Sequence, residues 1–149
     1  MKTVPTNLGT TCSFAVRRDK VFAALINPAV IQRCIDACEK LVPTGDDSYD
    51  AHLKINTAGL KGGYVVKVQI SDKNPPESCT FVLEGKAAAG FVKVSAKIKL
   101  TEKGSETELH CDADVQIGGL IAAVGSRLIE TAAKRMLDEF FRKFGEQLA

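Results

Sequence analysis

The chain has 149 residues, of which 45% are apolar and 26% charged, with a net charge of +2. This composition is typical of one globular domain spanning residues 1–149, large enough to bury about 70% of the surface that the unfolded chain exposes. The small net charge, without a basic tract, argues against a nucleic-acid partner. No apolar run approaches the ~20 residues of a membrane-spanning helix, and the start has no signal-peptide core, so we expect a cytoplasmic protein.

The first part of the chain predicts one strand and two short helices. Residues 9–16 alternate in polarity and form the strand. Asp19 is expected to cap a helix that runs to residue 27. Pro28 then suits the first turn of a second short helix, over about residues 29–34, because its φ is preset and its missing N–H has no helical partner there.

The middle of the chain predicts further strands, separated by Gly, Pro and Asn. They cover residues 38–42, 49–57, 64–70, 78–84, 92–100 and 109–117. In the last two strands apolar residues alternate with lysines in one and with carboxylates in the other. Antiparallel pairing would place these opposite charges side by side on the solvent face, as surface stabilisers.

The C-terminal part predicts a long helix, so that residues 118–148 lie as one rod over the concave side of a bent antiparallel sheet. The fold class is therefore α+β. The first half of the apolar stripe consists of Gly and Ala, whereas Met136, Phe140, Phe141 and Phe144 make the second half bulky. The small side chains of the first half indicate either that the helix packs closely on the sheet or that an apolar cavity lies between them. The predicted cavity lining is Phe14, Leu53, Tyr64, Val66, Phe81, Val94, Val115, Ile121 and Leu128.

Metal binding and catalysis have weak support in the sequence. Cys34 and Cys38 would share a face if their segment were helical, but a closed metal site needs two more ligands. His52 and His110, the only histidines, fall on the polar phase of their strands. Glu84, on a strand next to Gly85, is the one carboxylate that could take an inward position. We therefore predict free thiols, no metal, no cofactor and no catalytic residue.

The order of a strand, two short helices, a meander of about six strands and a long helix resembles the helix-grip architecture of the START/polyketide-cyclase superfamily. Several segments are similar to the family of the carbon monoxide dehydrogenase G subunit. They are residues 27–28 (NP), 34–39 (CIDACE), 59–62 (GLKG), 71–78 (SDKNPPES), 85 (G), 90–91 (GF), 116–119 (QIGG), 124–129 (VGSRLI) and 140–141 (FF).

This resemblance implies a non-enzymatic accessory of a molybdenum-containing carbon monoxide dehydrogenase or related hydroxylase. It also implies binding of an apolar small molecule, such as a lipid or an isoprenoid quinone, and recruitment of the enzyme to the inner face of the cell membrane. Peripheral contact could come from Lys93, Lys97 and Lys99, which could face anionic headgroups or an acidic partner. Two alternatives stay open, namely a ligand-free interaction module in which Cys34 and Cys38 matter, and a small cyclase- or hydrolase-like enzyme.

Overall fold

The computed structural model describes residues 3–35, 38–55, 62–87, 90–119 and 126–148. The described residues form seven strands and three helices in the predicted order. The strands are β1 (Thr3–Phe14), β2 (Cys38–Gly45), β3 (Ser48–Ile55), β4 (Gly62–Asn74), β5 (Ser78–Ala87), β6 (Gly90–Lys103) and β7 (Glu106–Gly119). The helices are α1 (Arg18–Leu25), α2 (Pro28–Cys34) and α3 (Ser126–Leu148).

The strands form one antiparallel sheet in the order β1-β7-β6-β5-β4-β3-β2. Each strand from β2 to β6 pairs with the next along the chain, and β1 pairs with β7. Residues that stand directly opposite each other share a face of the sheet. The pairs Leu83–Val94 and Val94–Val115 therefore lie on one apolar face, which is the face toward the helices.

Several strands extend beyond their predicted ends. β1 begins at Thr3, six residues before its predicted start, although this extension contains Pro5. It ends at Phe14, two residues before its predicted end. β1 is an edge strand of the described sheet, since it pairs with β7 on one side only. At the free edge of a sheet the missing proline N–H has no partner to lose. The connection between the strands predicted over residues 92–100 and 109–117 is also shorter than expected, because β6 continues to Lys103 and β7 starts at Glu106.

The start of α1 differs from the prediction. Arg17, not Asp19, occupies the N-cap position, and no side chain there caps the helix. Asp19 lies inside the first turn, where a carboxylate interacts favourably with the helix dipole. For α2 the prediction is confirmed: Pro28 opens the helix, and the side chain of Asn27 accepts a bond of 3.0 Å from the Ala29 amide.

The predicted rod over residues 118–148 is wrong at its start. Gly118 and Gly119 end β7, and the described helix begins at Ser126. Phe91 pairs with Gly118 across the strands, and a Cβ at Gly118 would overlap its ring. Gly118 is therefore needed for a cross-strand aromatic contact rather than for a helix. Residues 120–125 of the predicted rod lie outside the described part of the chain.

The closed part of the core lies between the short helices, the C-terminal half of α3 and one end of the sheet. Phe144 is fully buried, and its ring meets Phe14 edge-on at 5.4 Å. Phe141 is also buried. Met136, predicted to fill space with these rings, is 49% exposed, because it lies about 100° around the helix from Leu137 on the packed side.

Candidate ligand-binding site

Burial changes along the helix-facing side of the sheet. At the end that the helices close, Ile98, Leu100, Leu109 and Cys111 are buried. Toward the opposite end, six apolar side chains on β3 to β6 are only half-buried, which leaves part of their surface accessible to a ligand. The half-buried patch consists of Leu53, Tyr64, Val66, Leu83, Val92 and Val94.

The middle of the half-buried patch carries little side-chain volume. Gly85 stands between Val66 on β4 and Val92 on β6. A Cβ added at Gly85 would lie 3.3 Å from Cγ2 of Val66, tighter than an ordinary van der Waals contact. Val115 and Ile117 close the β7 side of the patch, packed against Val92 and Val94. The patch is thus an apolar surface that has no side chain in its middle, at Gly85.

The predicted lining residues fall into three groups. Leu53, Tyr64, Val66 and Val94 lie in the half-buried patch. Phe81 and Val115 are buried beside it on the same face, and Phe14 lies at the closed end against Phe144. Ile121 and the side chain of Leu128 lie outside what the structure describes. The lining as a whole therefore stays a prediction.

Sequence reasoning missed Leu83, Gly85 and Val92 as members of this surface. Leu83 and Val92 share the alternation that places Val94 inward, so the period-two pattern could have found them. Gly85 gives no such signal, since its position between Val66 and Val92 depends on the register of three strands.

A surface groove of about 710 Å³ includes Cys38, which stands opposite Leu53 in the β2–β3 register. It lies between α2, the start of β2, the end of β3 and α3. Its lining residues are Ala29, Gln32, Arg33, Ile35, Cys38, Glu39, Lys54 and Lys143.

Two hydrogen bonds position the walls of this groove. Nη1 of Arg33 donates to Oε1 of Gln147 at 3.2 Å, and Nε2 of Gln32 donates to the carbonyl of Glu39 at 3.3 Å. Burial raises the pKa of the Cys38 thiol above its ordinary value of 9.0, although backbone hydrogen bonds at Lys40 and His52 oppose the shift. The thiol is therefore neutral at physiological pH.

The candidate catalytic residues do not converge. Glu84 is exposed on the outer face of the sheet, 3.5 Å from Lys93. His110 is exposed and lies 3.0 Å from the hydroxyl of Thr11, and His52 lies on the outer phase of β3. Within the described ranges, no three His, Cys, Asp or Glu side chains are grouped so that they could hold a metal ion.

Cys34 and Cys38 do not share a helical face, because α2 ends at Cys34 and Cys38 starts β2. Cys34 is buried, and burial raises the pKa of its thiol. It therefore lacks the exposed, acidified environment of a reactive cysteine.

Solved structures share this arrangement of strands and helices. A conserved protein from Geobacillus kaustophilus is 29% identical, with a TM-score of 0.89 over 97% of this chain and 95% of that one. A protein from Rhizobium leguminosarum is 14% identical, with a TM-score of 0.75 over 99% and 96%. Truncated norcoclaurine synthase from Thalictrum flavum is also 14% identical, with a TM-score of 0.69 over the same shares.

The curved seven-stranded antiparallel sheet with two short helices and a long C-terminal helix defines the helix-grip class of folds. Within that class the sequence identifies one family, because the family model of the carbon monoxide dehydrogenase G subunit (CoxG) matches residues 12–149. The chain belongs to this family. No curated protein matches it by sequence. Among the helices of the described residues, none is long and apolar enough to cross a membrane.

Proposed function

We propose that this protein is a non-enzymatic accessory that binds an apolar ligand and helps to couple a molybdenum-containing carbon monoxide dehydrogenase to the membrane. Family membership supports the choice of partner enzyme. The membrane contact is a further part of the proposal, and neither it nor the partner is argued from the fold, since a fold alone does not define a function.

The observation that carries ligand binding is the half-buried patch. Leu53, Val66 and Val94 are apolar side chains on the concave side of the sheet, yet they keep part of their surface accessible. Apolar side chains between a sheet and its helices are normally covered by neighbouring side chains, as they are at the other end of this sheet. An apolar ligand such as a lipid or an isoprenoid quinone would gain about 25 cal/mol for each Å² of this surface that it covers.

Lipid extraction combined with native mass spectrometry of the purified protein tests this proposal. We expect a co-purifying apolar molecule and measurable affinity for quinones or fatty acids. Val66→Trp should lower that affinity roughly tenfold or more, because the indole would occupy space that a ligand needs. Co-purification of the dehydrogenase with the wild-type chain checks the accessory role.

Val65→Trp is the matched control. Val65 is the preceding residue of β4, points to the opposite face and is 46% exposed. This variant should retain ligand affinity. If the wild-type protein is empty and binds neither quinones nor fatty acids, the proposal is wrong, and a ligand-free interaction module becomes the better explanation.

A further inference from the structure

The outer face of the sheet carries a row of side chains that contains no carboxylate. Lys40 on β2 stands opposite His52 on β3, which stands opposite Val65 on β4. Lys86 follows at the same level on β5, one step beyond the last β4–β5 pair, and stands opposite Phe91 on β6. These five residues are named the basic row. Since neighbouring strands are about 4.8 Å apart, the basic row spans about 19 Å across the sheet.

The neighbouring row on the same face balances its charges internally. Asp50 stands opposite Lys67, which stands opposite Glu84. Glu84 in turn stands opposite Lys93, and Nζ of Lys93 lies 3.5 Å from Oε1 of Glu84. Two carboxylates thus alternate with two lysines. This second row lies two residues along the strands from the basic row, about 7 Å away, so the charge compensation ends between the two rows.

The lysines of the basic row have no ionic partner within the described ranges. Lys40 and Lys86 are exposed, and no described carboxylate lies within 4.0 Å of either ammonium group. Lys54, two residues after His52 on the same face, is a third exposed cation without an ion pair among these residues. Glu39 precedes Lys40 in β2 but pairs with none of the three lysines. Uncompensated positive charge therefore collects at this end of the outer face.

Exposed apolar side chains lie among these cations. Val65, in the middle of the basic row, is 46% exposed, and Val42, on the outer face of β2, is 39% exposed. Phe91 is half-buried, because its ring lies over Gly118. Apolar side chains that are bordered by charged ones are the usual composition of a protein–protein interface, in which the centre is apolar and the rim is polar.

A protein partner fits this surface better than a membrane does. The headgroups of an anionic membrane would face Asp50 and Glu84 as well as the lysines, and three lysines at such a membrane would supply only about 3 kcal/mol. A protein can instead place its carboxylates opposite the lysines alone and its apolar side chains on the valines.

We propose that the basic row, together with Lys54, is the surface on which the dehydrogenase docks through an acidic segment of that enzyme. Carboxylates of this segment face Lys40, Lys54 and Lys86, and its apolar side chains cover Val65. This inference rests on the proposed function for the identity of the partner and adds where the partner binds. The half-buried patch lies on the opposite face of the sheet and stays open to the ligand.

Biolayer interferometry with the purified carbon monoxide dehydrogenase and the immobilised full chain tests this docking surface. We expect Lys40→Glu combined with Lys86→Glu to raise the Kd roughly tenfold or more, because the reversed charges repel the acidic segment. The corresponding double replacement by Gln should raise the Kd by less, roughly threefold. Added salt should weaken binding of the wild type more than binding of either variant. Circular dichroism checks that both variants are folded.

Lys20→Glu combined with Lys99→Glu is the matched control. It changes the net charge by the same amount at two exposed positions outside the basic row. Lys99 lies on the outer face of β6, eight residues along the strand from Phe91, or about 27 Å. Such a distance exceeds the range of electrostatic interactions at physiological salt, so the Kd should stay within about twofold of the wild-type value.

Equal weakening in this control, or unchanged affinity in both basic-row variants, would overturn the docking surface while the proposed function stands. The same holds if wild-type protein binds phosphatidylglycerol vesicles and the basic-row variants lose this binding but keep the dehydrogenase, since the row would then contact lipid. Absence of any wild-type affinity for the dehydrogenase would remove the docking surface and also the accessory role in the proposed function, whereas ligand binding is measured separately.

Discussion

Thr107 is a polar side chain that the fold buries completely, at the start of β7. Its hydroxyl donates a hydrogen bond of 2.7 Å to the carbonyl of Val16. Val16 follows β1, where the chain leaves the sheet toward α1. The bond therefore satisfies a backbone acceptor at a place where no strand ladder can do so. The alternation of β7 could predict that Thr107 points inward, but its partner is 91 residues away and gives no sequence signal.

Replacing Thr107 with Val should lower the free energy of unfolding by about 1–3 kcal/mol, because the isosteric side chain leaves the Val16 carbonyl without its donor. Urea denaturation monitored by circular dichroism measures the loss. Thr101→Val, at an exposed position on β6, is the control and should change stability by no more than about 0.5 kcal/mol. Equal stability of Thr107→Val and wild type would show that the bond contributes nothing.

At the scale of the elements, the C-terminal half of α3 is firmly packed. Phe141 and Phe144 are buried, and the ring of Phe140 stacks on that of Phe144 at 6.3 Å. Earlier in the helix, Glu130, Thr131 and Arg135 are exposed. The exposed face is stabilised locally: Lys134 pairs with Asp138 at 2.9 Å. An ion pair of this kind stabilises a helix by only tenths of a kcal/mol. The aromatic contacts therefore hold α3 on the sheet.

Phe144→Ala should therefore destabilise the protein by about 3–5 kcal/mol, through lost burial and the cavity left against Phe14. Met136→Ala is the matched control on the same helix, since Met136 is half exposed, and it should cost less than about 0.5 kcal/mol. Thermal and urea denaturation of the two variants check this difference. Similar losses in both would mean that the aromatic cluster does not anchor α3.

The elements themselves could largely be predicted from the sequence. Period-two alternation locates every strand from β3 to β7, because each has one face toward the helices and one toward solvent. Their ends could not be predicted, since alternation fades where both faces become exposed, as at residues 101–103 of β6, while the backbone pairing continues. The sequence pattern places Gly118 and Gly119 in the helix, because small residues suit a helix as well as a strand. The contact of Gly118 with Phe91, which shows that Gly118 belongs to a strand, has no signal in the sequence.

At the scale of the whole molecule, the sheet has one closed end and one half-buried end. The sequence predicts which residues share the concave face, and Leu53, Tyr64, Val66 and Val94 are indeed half-buried there. It does not predict the groove, because Arg33, Lys54 and Lys143 are far apart along the chain and each is an ordinary surface cation by pattern. A site assembled from three elements depends on register and helix placement, which composition and periodicity do not contain.

The thiols on five different elements couple the stability of the whole molecule to pH. Burial raises the pKa of all five above 9.0, to about 11 for Cys79 and to about 12 for Cys111, where the nearby Cys12 adds to the shift.

An unfolded thiol releases its proton near pH 9, whereas the buried one keeps it. The stabilisation is therefore fully present below pH 9 and is lost as pH rises through 11 to 12. Between these values each such thiol should add a slope of up to about 1.4 kcal/mol per pH unit. In urea denaturation from pH 8 to 11, Cys111→Ala should show a shallower loss of stability than wild type, because the variant lacks this buried thiol. Identical slopes would mean that Cys111 is solvated in the folded state.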